Sequence, residues 1–552
     1  MRIKKFLKNY YLLILILCLA AFLRFYQITN VPPSTQWDET AIGYNAYSIL
    51  KTGRDEYGKL LPLVFKSFGD YKPGLYIYLT VPSVAVFGLN ELAVRIPSAL
   101  AGIAAVFLIY QVSYLLFKKK ALSLFISFAL AMSPWAIHFS RGGWEANVAL
   151  FLTLLGIFYF LKSEKKPKYL YPSSIAFGLS LLAYQGSKVF IPLLLLGLLI
   201  FFFKNVKKLP LKNLVISLVL LFLVASPAFL AVFTGGGGRL KTMSLFSYQR
   251  PADEVKSILN VDEGNMVYFN LFHSESLSFA TRLAERYFNH FSPRFLFFEG
   301  DWSSLRHGPP YTGALYLFDF LLLIAGGYFL VRFNTSQSKF VWFWLLVAPI
   351  PAVLTRDSIQ GIRSLNMVLP LMILIGCGFY QIFLWLPKKR KIFSSFIVLF
   401  LTVLYLFSAA YYFDQYFYHY PLQSSKDWGY GYKQAVQKIY PLRNNYQKII
   451  FTSEYGQPYI YWLFHGKYPP IDYQAKARLT ENLSGDVGKV EKLDNVEFRS
   501  ISFDGDKNLS KSLLIGTETE IPLEKIDYSK QKILEEIKFL NGKIAFRIVE
   551  IL

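Results

Sequence analysis

The sequence predicts an α-helical polytopic membrane protein that ends in a small α/β domain. Three observations carry this. Of the 552 residues, 54% are hydrophobic and 18% aromatic, more than a soluble core of that size needs. The apolar residues fall into repeated runs bounded by Lys/Arg clusters, as spans bounded by inner loops do. From about Phe413 such runs stop, and 19 Lys/Arg stand against 18 Asp/Glu.

Taken in order, the first run, "LLILILCLAAFL", has no small-residue cleavage site and reads as a retained span near residues 11–27. An outer loop follows to about Lys72. The stretch "PGLYIYLTVPSVAVFG" is short for a span of ~20 residues and contains Pro82, so it reads as an interfacial helix on the outer surface. The next stretch, from Leu92, crosses inward to Lys118–Lys120. Further spans are expected near 121–137, 146–161, 171–184, 189–203, 213–233, 311–331, 340–354, 364–386 and 392–412, about eleven in all.

The net charge of +23 follows the same plan. Arg2, Lys4, Lys5 and Lys8, Lys118 to Lys120, Lys162 to Lys168, Lys204 to Lys212, Arg332, Lys339 and Lys388 to Lys391 supply 21 cations against one acid, Glu164. All of them fall on one side when the N-terminus is placed in the cytoplasm. The charge therefore reports topology rather than a nucleic-acid partner. The loops 30–75, 138–145, 234–310 and 355–363 then fall outside, as does the tail. The expected division is a membrane domain over 1–412 and an extracytoplasmic α/β domain over 413–552, in a multi-pass protein of the cell membrane. In the tail, "KIIFTSE", "SLLIGT" and "IAFRIVEIL" read as strands and "SKQKILEEIK" as a helical segment. Cys18 and Cys377 lie in apolar runs and form no disulfide framework or metal spacing.

The polar residues that could do chemistry gather on the outer side. They are Asp38, Glu39, Asp55, Glu56, Asp70 and Lys72 in the first loop, Glu91 and Arg95 at the next span, Arg141 and Glu145 in "HFSRGGWEAN", and Arg356, Asp357 and Arg363 in "LTRDSIQGIRS". Cations at a membrane face can hold a phosphate, and a carboxylate beside it can act as general base. Each also has a plain structural reading. Asp38 and Glu39 suit the first turn of a helix, Arg95 and Arg363 can snorkel, Lys72 before Pro73 can be a turn residue, and Glu145 can pair with Arg141. His307 has no metal-ligand partner at helical spacing. "GGGG" at Gly235 to Gly238 is followed by no Walker lysine and reads as a loop. A divalent metal is thus unsupported by the sequence, and no cofactor is assigned.

Three blocks in order, "LRFYQITNVPPSTQWDET", "FGDYKPGLYIYLTVPSVAVFGLNELAVRIPSAL" and "SPWAIHFSRGGWEANVAL", resemble the protein O-mannosyltransferase family (glycosyltransferase family 39) and its bacterial relatives, including the aminoarabinose transferases. The resemblance implies the membrane-embedded C-type glycosyltransferase fold. It also implies a polyprenyl-phosphate sugar donor, mannose by family default, and a hydroxyl acceptor on a protein, lipid or glycan. Asp38 matches the proposed catalytic base and Glu39 its neighbour. Lys72 matches the lysine of the "KPP" motif near the lipid phosphate, with Gly74 in place of the second proline. Arg95 matches the arginine of "RLPSA", Arg141 and Glu145 match the arginine and acid of the second outer loop, and Arg363 matches a late arginine. Tyr71 stands where the aminoarabinose enzymes commonly carry an acid, with Asp70 one place earlier. That departure weakens any metal site built on the acid.

The implied reaction is inverting transfer. Asp38 takes the acceptor proton while Lys72, Arg95, Arg141 and Arg363 hold the phosphate, with Glu145 and Asp70 on the acceptor side. A transporter or flippase of lipid-linked sugars is the competing class. It predicts polar residues at the bilayer midplane and repeated halves, whereas the polar residues here sit at the outer ends of spans. An assembly protein that uses the membrane only as an anchor needs far fewer spans.

Overall fold

The computed structural model describes residues 2–68, 70–231, 250–387, 390–476, 478–480 and 488–552, without the side chains of residues 2–9, 70 and 231. The expected glycine loop 235–238, Lys388, Lys389 and the side chains of Arg2, Lys4, Lys5, Lys8 and Asp70 lie outside the described residues.

The chain opens with α1 (Arg2–Phe25), α2 (Trp37–Thr52) and a hairpin of β1 (Val64–Ser67) with β2 (Asp70–Pro73). Then come α3 (Leu75–Phe87), α4 (Glu91–Phe117), α5 (Lys120–Met132), α6 (Pro134–Arg141) and α7 (Glu145–Ser163). Every stretch expected to span contains a helix. Among the described residues five are long and apolar enough to cross a membrane, or six if α5 and α6, bent by 54°, form one span. Others are shorter; Ser336–Val347, with 12 residues, reaches only about 18 Å at 1.5 Å per residue. The short α3 contains Pro82 and packs against α2 and α4.

Two expectations are corrected in this region. The outer loop expected over 138–145 is helical as far as Arg141, because Ser133 caps α6 by accepting the Ala136 N–H (3.3 Å) and Pro134 occupies its first turn. The last apolar helix, Lys391–Asp414, does not end at 412. It runs on through a π-helical turn, Gln415–His419, to Ser424, with Tyr412, Tyr416 and Tyr420 stacked one turn apart.

Beyond it lies a six-stranded sheet in the order β4-β5-β3-β6-β8-β7. Its strands are β3 (Lys448–Phe451), β4 (Lys492–Leu493), β5 (Val496–Phe498), β6 (Ser512–Gly516), β7 (Gln531–Lys538) and β8 (Ile544–Ile551). β5, β3 and β6 run parallel; β4, β8 and β7 add antiparallel. The three strands expected from the sequence are β3, β6 and β8. The segment "SKQKILEEIK", expected as helix, is the edge strand β7. Its spacing of Ile533, Leu534 and Ile537 suits a helix, but pairing with β8 overrides that preference, and two register shifts let Ile537 turn inward.

The sheet domain packs on α2 and on the starts of α3 and α4. Tyr44, Tyr76 and Val94 share one buried core with Tyr432, Trp462 and Phe464. Gln474 Nε2 donates to Ser48 Oγ, Thr52 Oγ1 and the Asp55 carbonyl, all within 3.0 Å. Lys433 Nζ meets Glu91 at 2.8 Å. A Cβ on Gly43 of α2 would lie 2.4 Å from the Phe464 ring, so this helix approaches the domain as closely as glycine permits.

Candidate active site

The site is built on the first turn of α2. Gln36 caps the helix: its side-chain oxygen accepts the Asp38 N–H at 2.9 Å. Asp38 and Glu39 then sit in the first turn, where the helix dipole favours carboxylates. They lead different lives. Asp38 stays partly exposed and is ion-paired with Lys72 Nζ. Glu39 is fully buried and faces Arg95.

Lys72 arrives through the hairpin, where it lies opposite Phe65. Its ammonium is also 5.2 Å from the Phe68 ring. Gly74 ends this approach, and a Cβ there would lie 2.6 Å from the Phe65 ring and 2.8 Å from the Leu63 carbonyl. The departure from the family's second proline thus has a steric cause. Next to Lys72 lies Glu56, buried, with Asn45 Nδ2 donating to one carboxyl oxygen at 3.0 Å. Burial pushes the Glu56 carboxyl up to about 8.

Two of the four expected phosphate ligands are otherwise engaged. Arg95 is fully buried, and its five N–H groups go to Glu39 Oε1 and Oε2 (3.2 Å each) and to the carbonyls of Ile28, Pro32 and Ser34. Arg141, also buried, donates to the carbonyls of Leu23, Tyr26 and Val31. Between them they hold the strand of chain that leads into α2. Every N–H of Arg95 is thus engaged, whereas Arg141 Nε is buried with no hydrogen-bond partner among the described residues. Glu39, expected in the catalytic pair, is likewise an anchor; it also accepts the Gly143 N–H at 2.5 Å. Arg363 is partly exposed and donates to Asp357 at 3.2 Å. Glu145 begins α7, partly exposed, and shares with Glu39 the buried Tyr76 as an electrostatic neighbour. Asp70 lies opposite Ser67 in the hairpin.

A further cation stands here that the sequence reading passed over. The Arg306 guanidinium lies 5.3 Å from the ring of Trp37, the residue before Asp38, and forms no ion pair within 4 Å among the described residues. Its backbone is fixed: the Arg306 carbonyl is 2.8 Å from His138 Nε2, and its N–H reaches Ser304. The neighbouring His307 Nδ1 is 2.6 Å from Asp301 Oδ2, which also accepts the Gly361 N–H. Burial opposes ionisation of Asp301, yet His307 and hydrogen bonds from Ser303 and Gly361 hold it below the usual carboxylate range. A small cavity behind this turn is lined by Trp135, His138, Asp301, His307, Thr312 and Tyr412. The sequence signal for Arg306 was slight, one cation beside His307 in a Gly/Pro-rich segment. Among the described residues no three His, Cys, Asp or Glu side chains converge as a metal site requires.

Residues 71–230 match the family model described as dolichyl-phosphate-mannose-protein mannosyltransferase. Among solved structures, ArnT from Cupriavidus metallidurans bound to undecaprenyl phosphate superposes with a TM-score of 0.52 at 12% identity, over 98% of each chain. The chain has the C-type glycosyltransferase fold. The archaeal oligosaccharyltransferase AglB from Archaeoglobus fulgidus, in complex with an inhibitory peptide and a dolichol-phosphate, gives 0.52 at 12% identity, over 83% of this chain and 64% of that one. The putative mannosyltransferase YycA of Bacillus subtilis (strain 168) is 29% identical over 216 residues. That alignment spans 38% of this chain and 30% of the curated relative.

Proposed function

We propose that this protein transfers a sugar from a polyprenyl-phosphate donor to a hydroxyl acceptor at the extracytoplasmic face of the membrane, with inversion at the anomeric carbon. The single observation that carries the reading is the Asp38–Lys72 pair at the start of α2, with the Arg306 guanidinium over the adjoining Trp37. The relatives lend support, since the family model is described by dolichyl-phosphate-mannose, and the ArnT and AglB structures hold undecaprenyl phosphate and a dolichol-phosphate.

In this mechanism the donor phosphate draws the Lys72 ammonium away from Asp38. Lys72 and Arg306 then stabilise the charge that develops on the phosphate as the sugar–oxygen bond breaks. Asp38, released from its partner, accepts the proton of the acceptor hydroxyl as that oxygen attacks the anomeric carbon from the opposite face. Arg95, Arg141 and Glu39 act earlier in the chain of causes. They fix the segment 23–39, so Asp38 meets its substrate on a preformed loop and not a mobile one. In the same reading Arg363 is a further phosphate ligand, and Glu145 and Asp70 stand on the acceptor side. Mannose is the family's default sugar, and protein, lipid and glycan acceptors all suit the chemistry.

The test is incubation of purified protein with a panel of polyprenyl-phosphate sugars, with mass spectrometry of released lipid phosphate and modified acceptors. Release of lipid phosphate that depends on Asp38 supports the reading. Sugar-lipid movement across a vesicle membrane without release of lipid phosphate overturns it in favour of a flippase.

A further inference from the structure

The sheet domain docks against the active loop at a position that open α/β sheets ordinarily reserve for a ligand. β5, β3 and β6 run parallel in an order in which β3, first in the chain, lies between the other two. The crevice at the carboxyl ends of β3 and β6 is then the switch point. Glu520 braces this edge: Oε1 accepts Thr452 Oγ1 (2.8 Å) and the Ile501 N–H (2.9 Å), and Oε2 accepts the Thr517 N–H (2.9 Å). The turn after β3 contains Gly456, at φ +114°, with its N–H on the Ser453 carbonyl. A Cβ on Gly456 would lie 2.4 and 2.6 Å from two carbons of the Trp37 ring. The backbone of the sheet domain therefore lies directly against the indole that precedes Asp38.

Trp37 in turn faces Arg306, whose backbone the membrane domain fixes through His138 and Ser304. The three groups form a relay: a backbone turn of the sheet domain, an aromatic ring on α2, and a guanidinium from the large outer loop. Tyr461 follows the same path. Its buried ring is stacked on Tyr432 (centroids 4.1 Å), and its hydroxyl is an electrostatic neighbour of Arg306, Asp38 and Glu39.

We propose that the sheet domain is a working part of the active centre, with Gly456 as the positioning residue that seats Trp37 so that Trp37 holds Arg306 beside Asp38. The proposal rests on the functional reading above, in which Arg306 meets the donor phosphate. The turn needs glycine twice over. Its positive φ disfavours a side chain, and the indole occupies the place of one.

The test is binding of undecaprenyl phosphate to the full-length protein in detergent, for wild type, Gly456→Ala, Arg306→Gln and the double variant. Gly542→Ala is the control: it sits at φ +86° in the turn between β7 and β8, with nothing within 4 Å of an added Cβ, so it reports backbone strain alone. The expected result is about tenfold weaker binding for Gly456→Ala, unchanged binding for Gly542→Ala, and no further loss when Gly456→Ala is added to Arg306→Gln, as coupling through one contact requires. Where Gly456→Ala fails to fold, Trp37→Phe and Trp37→Leu carry the test: the ring-bearing variant is expected to bind well and the other poorly. Equal losses from Gly456→Ala in both backgrounds, or equal binding by Trp37→Phe and Trp37→Leu, overturn the positioning role and leave the functional reading standing. Failure of the wild-type protein to bind the lipid phosphate overturns the functional reading and this inference with it.

Discussion

Glu39 and Arg95 meet as a fully buried ion pair, with Nε and one terminal nitrogen of the guanidinium each 3.2 Å from a different carboxylate oxygen. Glu39 follows the proposed base Asp38 in the chain, yet it is buried against Arg95 while Asp38 stays partly exposed. Their pairing closes the loop 28–39 over itself, because the other N–H groups of Arg95 reach the carbonyls of Ile28, Pro32 and Ser34.

Arg95→Gln leaves Glu39 buried and without its cation. Removing one partner of a buried pair costs about 3–5 kcal/mol, so this variant is expected to unfold well below the wild-type temperature in detergent. Glu39→Gln is expected to be destabilised in the same direction. A wild-type thermal midpoint for Arg95→Gln, with weaker lipid-phosphate binding, returns Arg95 to the ligand role expected from the sequence.

Asp38→Asn keeps the size of the side chain and loses its capacity to take a proton. Transfer is expected to fall by about 10²–10⁴, while insertion, thermal stability and lipid-phosphate binding persist. Single-turnover transfer at saturating donor measures the first quantity and equilibrium binding the last. Near-wild-type turnover moves the base elsewhere, with Glu145 the first residue to examine.

Arg306→Gln removes a cation that forms no ion pair within 4 Å among the described residues. Loss of one charge-assisted contact to a phosphate costs roughly 1.5–3 kcal/mol, or about 10–150-fold in transfer at low donor concentration. Because the backbone of this turn is held by His138, Ser304 and the Asp301–His307 pair, stability is expected to change little. Measured transfer efficiency and thermal midpoint together separate the two effects.

Glu56 predicts a pH dependence. Burial raises its carboxyl to about 8 in the folded protein, from an ordinary value near 4.5. Between those values the folded state holds a proton that the unfolded state has released, so stability from this group is full below about pH 4.5 and is lost as pH rises towards 8. The slope of thermal midpoint against pH over that window is expected to flatten in Glu56→Gln. An identical slope in the variant removes Glu56 as its source.

Topology is checked by reporter fusions. The Lys/Arg bias places a fusion near Lys119 in the cytoplasm and one after Leu552 outside. A cytoplasmic C-terminal reporter places the sheet domain on the opposite side from the expected one, and Asp38 with it, since the two share a buried core.

The sequence by itself determined the parts whose signals are local. Apolar runs and their flanking cations mark helices because hydropathy and charge add up over some twenty neighbouring residues. Short apolar runs rich in β-branched and aromatic residues, such as "KIIF" and "IAFRIVEI", mark strands for the same reason. Motif order pointed to Asp38, Glu39 and Lys72 as candidates, and the fold pairs Asp38 with Lys72 while burying Glu39 against Arg95. What only the tertiary structure decided is which charges are already engaged. Arg95 and Arg141 resemble phosphate ligands in sequence, but contacts to Glu39 and to loop carbonyls absorb them. Arg306 carried almost no local signal, yet the fold brings it to Trp37, with Asp427 as an electrostatic neighbour and no ion pair within 4 Å among the described residues. The segment 531–538 reads as a helix by spacing and becomes a strand because β8 offers it a ladder. For the charges the deciding partner is distant in sequence, and for β7 it is the next strand across a short turn. The free energy of a buried charge or an edge strand is set by that partner and not by the spacing of the segment's own residues.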